Sequence, residues 1–493
     1  MKLDLKKHFF KGSPSDAVDL CAAAFIFVSF LVLVIVTFNV GLYADDYWNL
    51  FEAKKHDTLS YFANHMTTIN SRYTYAIVNR LLFFLCFDPN DMFGWTFIRT
   101  ARISILCIHC IGVWFLYKSL VHLKVPKVPL LLLLPFVALP SYAHQALFWI
   151  GAAFAHPLGF ALFSIAGYAL LTKRYATFSI ATFFSLGASE FVLMPSIAVV
   201  SLHLFFEFRN NKTTGLLNKK HAAHAAVVLI PFIAWAAIVI LTPALSARVD
   251  KVLGHAKLME HPVRWLTSFF RFYLTGLMPE AFLRDYGYIV LTLVAAMIVL
   301  IRDTRKKVVA SVLAAFYPLS LLPLSAVGYG FKSLRHLRLY YLPGIFFYVA
   351  VFSIAAFVID RLIGAKITFH KTAVVLCVAA AVSGATAFSV MRLHDRAKDG
   401  EQAYGCIRAT LEAMKTKADG RTPSSADVCG LPPLIYDFSL FRGHYAGPYA
   451  AGLAFGTEAP IPFTSNEECR DKRGIPLEDR RCPFDARYRM DFP

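Results

Sequence analysis

Apolar blocks recur from residue 17 to residue 391, each set off from the next by a polar loop. The first runs from Ala17 to about Leu42, and ten more fall at roughly 98–118, 128–143, 157–172, 175–189, 190–206, 222–242, 286–301, 308–327, 342–359 and 372–391. About 20 apolar residues suffice for a helix to cross a hydrocarbon core. A soluble chain of 493 residues would need polar surface for two or three domains, yet only 17% of this one is charged and 57% is hydrophobic. Soluble domains carry roughly a quarter charged residues. The expected fold class is therefore an all-α polytopic membrane protein of about eleven transmembrane helices, integral to the membrane and in contact with its lipids.

The net charge of +18 has to be located before it is interpreted. Residues 392–493 hold 15 Lys/Arg and 15 Asp/Glu, so the whole excess lies upstream. Alternating the spans places segments 1–16, 118–127, 173–174, 207–220, 302–307 and 360–371 on one side, with 20 Lys/Arg against 5 Asp/Glu. Cytoplasmic loops carry such a bias, so the N-terminus is expected in the cytoplasm and the C-terminus outside. A nucleic-acid partner is not expected, because the excess is spread over short loops between apolar blocks and forms no DNA-binding face. The leading run is too long for a signal peptide and lacks a small-residue cleavage site, which reads as an uncleaved anchor.

Two apolar segments break the alternation if counted as spans. Tyr73–Phe87 is short and carries Arg80; His261–Phe282 interleaves Arg264 and Arg271 with Trp265, Phe269, Phe270, Phe272 and Tyr273. Both are expected as helices lying in the outer interface. The chain divides into a membrane domain, 1–391, and an extracytoplasmic domain, 392–493, rich in Gly, Pro and Asp turns. That tail holds Cys406, Cys429, Cys469 and Cys482. An even count outside the cytoplasm implies two disulfides, with three possible pairings. The remaining cysteines sit in apolar segments, where a thiol is usually a small hydrophobe.

Three groups of residues could carry chemistry, all on the outer side. Asp45 and Asp46 follow the first span directly, flanked by Tyr47 and Trp48. An adjacent pair of carboxylates can be a solvated helix end; here one could serve as general base for a hydroxyl while the other orients it. Lys332, Arg335 and Arg338 recur every three residues in the loop before the tenth span, so a helical turn would put them on one face. They suit a phosphate at headgroup level, and Arg72 is a further candidate for it; the plain alternative is contact with lipid headgroups. His144, Trp149, His156 and Glu190 lie at the outer ends of the middle spans, where an ionisable group usually faces a cavity or partner. The histidines lack metal-ligand spacing. An enzyme working on this side has no cytoplasmic nucleotide sugar, and a polyprenyl phosphate is the usual carrier.

The acidic pair after the first span, the long first outer loop and the Arg338-Leu339-Tyr340-Tyr341-Leu342-Pro343 stretch resemble GT-C glycosyltransferases. Among these the chain is most similar to bacterial GtrII-like O-antigen-modifying glucosyltransferases. Asn70-Ser71-Arg72-Tyr73 corresponds to a stretch that often reads G-R-Y there, and Phe148-Trp149-Ile150-Gly151 to W-x-x-G-S; Ser71 and Ala152 depart from those patterns. The likeness covers about residues 20–345. It implies a bacterial inner-membrane enzyme with a periplasmic site, moving a sugar with inversion from a polyprenyl-phosphate donor to a hydroxyl of an envelope glycan or lipid. Asp45 or Asp46 would be the base, with Asp45 slightly preferred because the first acidic residue usually fills that role in the family. Tyr47, Trp48, His144, Trp149, His156 and Glu190 would face sugar or acceptor. No cofactor is required, although the acidic pair could hold Mg²⁺ or Mn²⁺. The competing readings are a transporter or flippase for lipid-linked sugars, for which repeat symmetry and Gly/Pro-broken helices are expected but not seen in the sequence, and a membrane O-acyltransferase, which would centre on a histidine near the membrane core.

Overall fold

A computed structural model describes residues 14–42, 45–64, 72–86, 95–150, 154–210, 219–241, 262–270, 274, 278–279, 281–326, 337–364, 371–429, 434–435, 438–439, 443–466 and 487–492. The first span is α1, Pro14–Thr37; the stretch after it contains α2 (Asp45–Lys55), α3 (Thr58–Asn64) and α4 (Tyr73–Cys86). The bundle continues with α5 (Trp95–His122), then a broken segment comprising α6 (Lys127–Leu130), a 3₁₀ turn, α7 (Leu134–Ala138) and the 3₁₀ turn Ser141–Ala143. After α8 (Gln145–Phe148) come α9 (Ala155–Leu171), α10 (Tyr175–Ala188), α11 (Leu193–Asn210) and α12 (Lys219–Leu241). The short helices α13 (Pro262–Ser268) and α14 (Ala281–Asp285) precede α15 (Gly287–Leu300), α16 (Thr304–Ala326), α17 (Tyr341–Gly364) and α18 (Lys371–Ala418).

Seven of these helices are long and apolar enough to cross a membrane, and four shorter apolar segments accompany them. Ile35, Ile240, Leu241 and Val299 stand exposed on the outside of the bundle, which is tolerable only if hydrocarbon rather than water covers them. The chain is a mostly helical, polytopic membrane protein. Several ion pairs join neighbouring helix ends. Asp19 accepts from Tyr117 (2.7 Å) and pairs with Lys127 (2.8 Å) and Lys118 (3.4 Å). Lys173 pairs with Glu207 and Lys306 with Asp360. Every one of these groups belongs to a segment that alternation assigns to the N-terminal side or to the edge of one.

Four expectations need correction. The sequence suggests no broken span, but 127–143 is one. Pro129, Pro135 and Pro140 each lack an amide donor there, and prolines in membrane helices are accommodated by neighbouring helices and local 3₁₀ turns. The stretch 261–282 is not a single helix, because α13 stops at Ser268 and Met278–Pro279 is non-helical. The last helix does not stop where its apolar run stops: α18 is 48 residues long in all and passes through the expected boundary at 391/392. It ends where Asp419 and Gly420 both take left-handed backbone, at φ 50° and 76°, a common helix stop. Finally, the tail is not all-α. Strands β1 (Ser425–Cys429), β4 (Phe463–Asn466) and β5 (Arg487–Asp491) form a sheet of order β4-β1-β5, with β1 parallel to β4 and antiparallel to β5. Strands β2 (Leu434–Ile435) and β3 (Phe438–Ser439) pair separately, and α19 (Gly443–Phe455) lies between β3 and β4 in sequence.

The tail packs on the helix that carries the acidic pair. The Phe51 ring of α2 meets Tyr449 of α19 edge-on, with centroids 5.2 Å apart. A Cβ at Gly452 would come within 2.8 Å of Phe51, so only glycine lets the two helices approach so closely.

Candidate functional site

Asp46 lies in the first turn of α2 and is 1% exposed. Its carboxylate accepts from the Ile150 backbone amide at 3.4 Å, joining α2 to the segment after α8 across 104 residues of sequence. Tyr47 beside it is buried and donates to the Leu42 carbonyl at 3.1 Å. Burial, then the neighbouring Tyr404 and Asp46, hold its phenol well above the usual range, so it stays a donor at any physiological pH. Trp48 is half-buried. Asp45 begins the helix; its side chain is outside the described residues.

Around this core the loop helices are cross-linked by polar contacts. Tyr75 of α4 donates to Asn49 of α2 at 3.1 Å, Asn79 to Tyr61 at 2.8 Å, and Asn64 to Glu52 at 3.2 Å. One turn before Tyr75, Arg72 makes a two-pronged pair with Glu190, Nε to Oε2 at 2.9 Å and Nη2 to Oε1 at 2.7 Å. Two residues expected in separate roles are thus partners. Arg72 is 17% and Glu190 38% exposed. Tyr73 adds a bond of 2.6 Å to the Phe183 carbonyl and packs on the Phe183 ring.

His144, Trp149 and His156 are all buried. His144 lies 3.4 Å from the Ser141 carbonyl. Burial, followed by the charges of Arg396 and Arg392 on α18, pushes it down to about 3, so it is a neutral ring at any pH the cell reaches. His156 Nδ1 lies 3.4 Å from the Ser189 hydroxyl and its ring packs on Phe191. Of the basic triad, Lys332 and Arg335 lie outside the described residues. Arg338 lies in the 3₁₀ turn Leu337–Tyr340, with its side chain not described.

Sequence reasoning passed over three residues. Arg284 of α14 stacks over the Tyr340 ring at 5.2 Å and donates from Nε to the Met278 carbonyl at 3.0 Å, adding a cation beside the Arg338 turn. The Tyr340 hydroxyl is buried, with no hydrogen-bond partner among the described residues. Arg102 sits within a turn or two of the start of α5, fully buried; a cation at the edge of an apolar run was the available signal. A histidine also lies deeper in the bundle. His109 faces the Ala138 carbonyl (Nε2, 3.2 Å) and the Tyr341 hydroxyl (Nδ1, 2.5 Å). Those partners assign Nε2–H as donor and Nδ1 as acceptor, so neither nitrogen is available as a base. Among the described residues no group of three His, Cys, Asp or Glu side chains could hold a metal ion. Cys406 is buried on α18, Cys429 closes β1, and Cys469 and Cys482 lie outside the described residues.

No protein-family model matches the chain, and no curated protein does. Among solved structures, ArnT from Cupriavidus metallidurans bound to undecaprenyl phosphate aligns over 92% of this chain and 88% of that one, with 14% identity and a TM-score of 0.43. At that identity and score the likeness assigns neither fold nor activity to this chain.

Proposed function

We propose that this chain is an eleven-span GT-C-type glycosyltransferase of the bacterial inner membrane, with its site and tail on the periplasmic face. It transfers a sugar from a polyprenyl-phosphate donor to a hydroxyl of an envelope glycan or lipid. The observation that carries the reading is the acidic pair itself: Asp46 is buried at the end of the first span and anchored on the Ile150 amide, on a helix tied to the one that follows Arg72.

A carboxylate so enclosed has an anchoring role, which leaves proton acceptance to Asp45. Asp45 takes the acceptor O–H proton as the oxygen attacks the anomeric carbon, and the carbon–oxygen bond to phosphate breaks from the opposite face, inverting that centre. The leaving group is a phosphate monoester, which needs charge stabilisation more than a proton. Arg72, Arg284, Lys332, Arg335 and Arg338 supply cations for it, while Tyr47, Trp48 and Trp149 are candidates to line the sugar or acceptor. The tail, with its four cysteines in two disulfides, closes over α2. An acyltransferase would need a histidine base near the core, and His109 has both nitrogens engaged.

Asn keeps the size of Asp and much of its hydrogen bonding but cannot take the proton. A positioned base contributes about 10²–10⁴-fold in rate. Asp45→Asn should lose at least that in transfer by purified enzyme in proteoliposomes, and Asp46→Asn should lose less. If both variants transfer sugar at near-normal rates, the enzyme reading fails, and carriage of lipid-linked sugars becomes the reading to pursue.

A further inference from the structure

Arg102 is 2% exposed at the beginning of a membrane-spanning helix, where an uncompensated guanidinium would be very costly. Main-chain carbonyls take up its charge. Nη1 donates to Thr37 (3.0 Å) and Val40, and Nη2 to Gly41 (3.3 Å) and Phe148 (3.0 Å). Thr37 is the last residue of α1 and Val40 and Gly41 follow it, so three of the four acceptors lie at the negative end of that helix, where a cation is favoured. Both terminal nitrogens have spent both of their N–H groups, which leaves neither for a substrate.

What these bonds hold is the backbone on either side of Asp46. From Arg102 the path runs to the Gly41 carbonyl, along five residues to Asp46, across its carboxylate to the Ile150 amide, back two residues to Phe148, and through the Phe148 carbonyl to Arg102 again. It is a closed ring. The Tyr47–Leu42 bond draws in its first arc. Tyr404 of α18 packs against the same arc: a Cβ at Gly41 would meet its ring at 1.9–2.2 Å. Arg99, one turn before Arg102, stacks at 3.9 Å on Phe38, three residues ahead of that arc.

We infer that Arg102 is a positioning residue for the acidic pair: it fixes the two stretches of backbone that set where α2 begins, and so where Asp45 presents its carboxylate. The inference rests on the catalytic reading of that pair. Only the planar fork of arginine can reach four carbonyls at once; a lysine keeps the charge but offers three donors from a single point.

Misplacement by about 1 Å can cost on the order of 10²-fold in rate. Arg102→Lys should therefore lower kcat about 10- to 100-fold with the donor KM within about twofold of the parent, and Arg102→Met should lower it further. Hydrogen–deuterium exchange on the same preparations provides a readout independent of activity. Amides of 38–50 and 144–150 should exchange faster in Arg102→Lys, while the inner half of α5 is unchanged. Unaltered kcat together with unaltered exchange in Arg102→Lys overturns the inference, and so does a fall in thermal midpoint with kcat per folded enzyme intact. Should Arg102→Met not fold, Arg102→Lys decides alone. If the amides loosen but Asp45→Asn and Asp46→Asn both transfer normally, the catalytic reading falls while the bracing of α2 by Arg102 stands.

Discussion

Arg72 cannot hold Glu190 and a donor phosphate with the same two nitrogens, and that competition has a calculable size. The pair is two-pronged, at 2.9 and 2.7 Å, a geometry that favours the strong end of its class. Glu190 is nonetheless 38% exposed, and ion pairs so placed contribute about 1 kcal/mol at most. If Arg72 turns to the phosphate during the reaction, that sum is subtracted from donor binding. Glu190→Gln, which leaves only a neutral acceptor, should return most of it. At 1.4 kcal/mol per factor of ten, the donor KM should tighten up to roughly fivefold. Arg72→Ala removes a charge-assisted contact of about 1.5–3 kcal/mol and should weaken donor use roughly tenfold to a hundredfold. The assay is initial-rate kinetics in proteoliposomes with donor varied at saturating acceptor, paired with thermal midpoints. A Glu190→Gln variant that loses stability at unchanged donor KM would refute the reasoning. The pair would then be a brace between α4 and the turn joining α10 to α11.

Two further outcomes concern the tail. Phe51→Ala empties a fully buried site between α2 and α19 and should cost about 3–5 kcal/mol; limited proteolysis should then cut after α18 sooner than in the parent, and unchanged cleavage rates would mean that the tail does not depend on this contact. Thiol labelling of intact cells should modify Cys406, Cys429, Cys469 and Cys482 only after reduction, whereas free thiols reached only from the cytoplasm would reverse the orientation and remove the disulfides together.

How much was legible depends on the range over which each signal acts. Hydrophobic blocks are local, and each of the eleven apolar segments corresponds to helical structure in the fold. The extension of α18 was legible too, but under a different period: Leu393, Ala397, Tyr404, Ile407, Leu411, Met414 and Ala418 are all buried, and they recur at three, four and seven residues, as the core stripe of an amphipathic helix does. Averaging hydropathy hides that stripe, because charged residues fill the other face. The partnerships at the site were not legible. Asp46 meets Ile150 across 104 residues and Arg72 meets Glu190 across 118, and no periodicity within either segment encodes the other. Arg102 shows the same limit, since a span-edge cation looks like a headgroup contact until the carbonyls that receive it are in place.

Arg72, Arg102 and Arg284 differ in their partners, and those partners rank them for work on an anion. Arg102 has four carbonyl acceptors on its two terminal nitrogens. Extracting it would strand those groups in a dry interior, where each unsatisfied polar atom costs about 1–3 kcal/mol, so it builds the site rather than binding in it. Arg72 holds a carboxylate that is itself partly solvated, which makes its release inexpensive and its charge available on demand. Arg284 keeps the most in reserve. Among the described residues its one hydrogen bond uses Nε and its flat face lies on Tyr340, an arrangement that orients the guanidinium edge and engages neither terminal nitrogen there. The buried Tyr340 hydroxyl lies on the same turn as Arg338. On the proposed function, an anion arriving from the membrane would therefore be met at the Arg284–Tyr340 edge and at Arg72, leaving the braced acidic pair for the attacking hydroxyl.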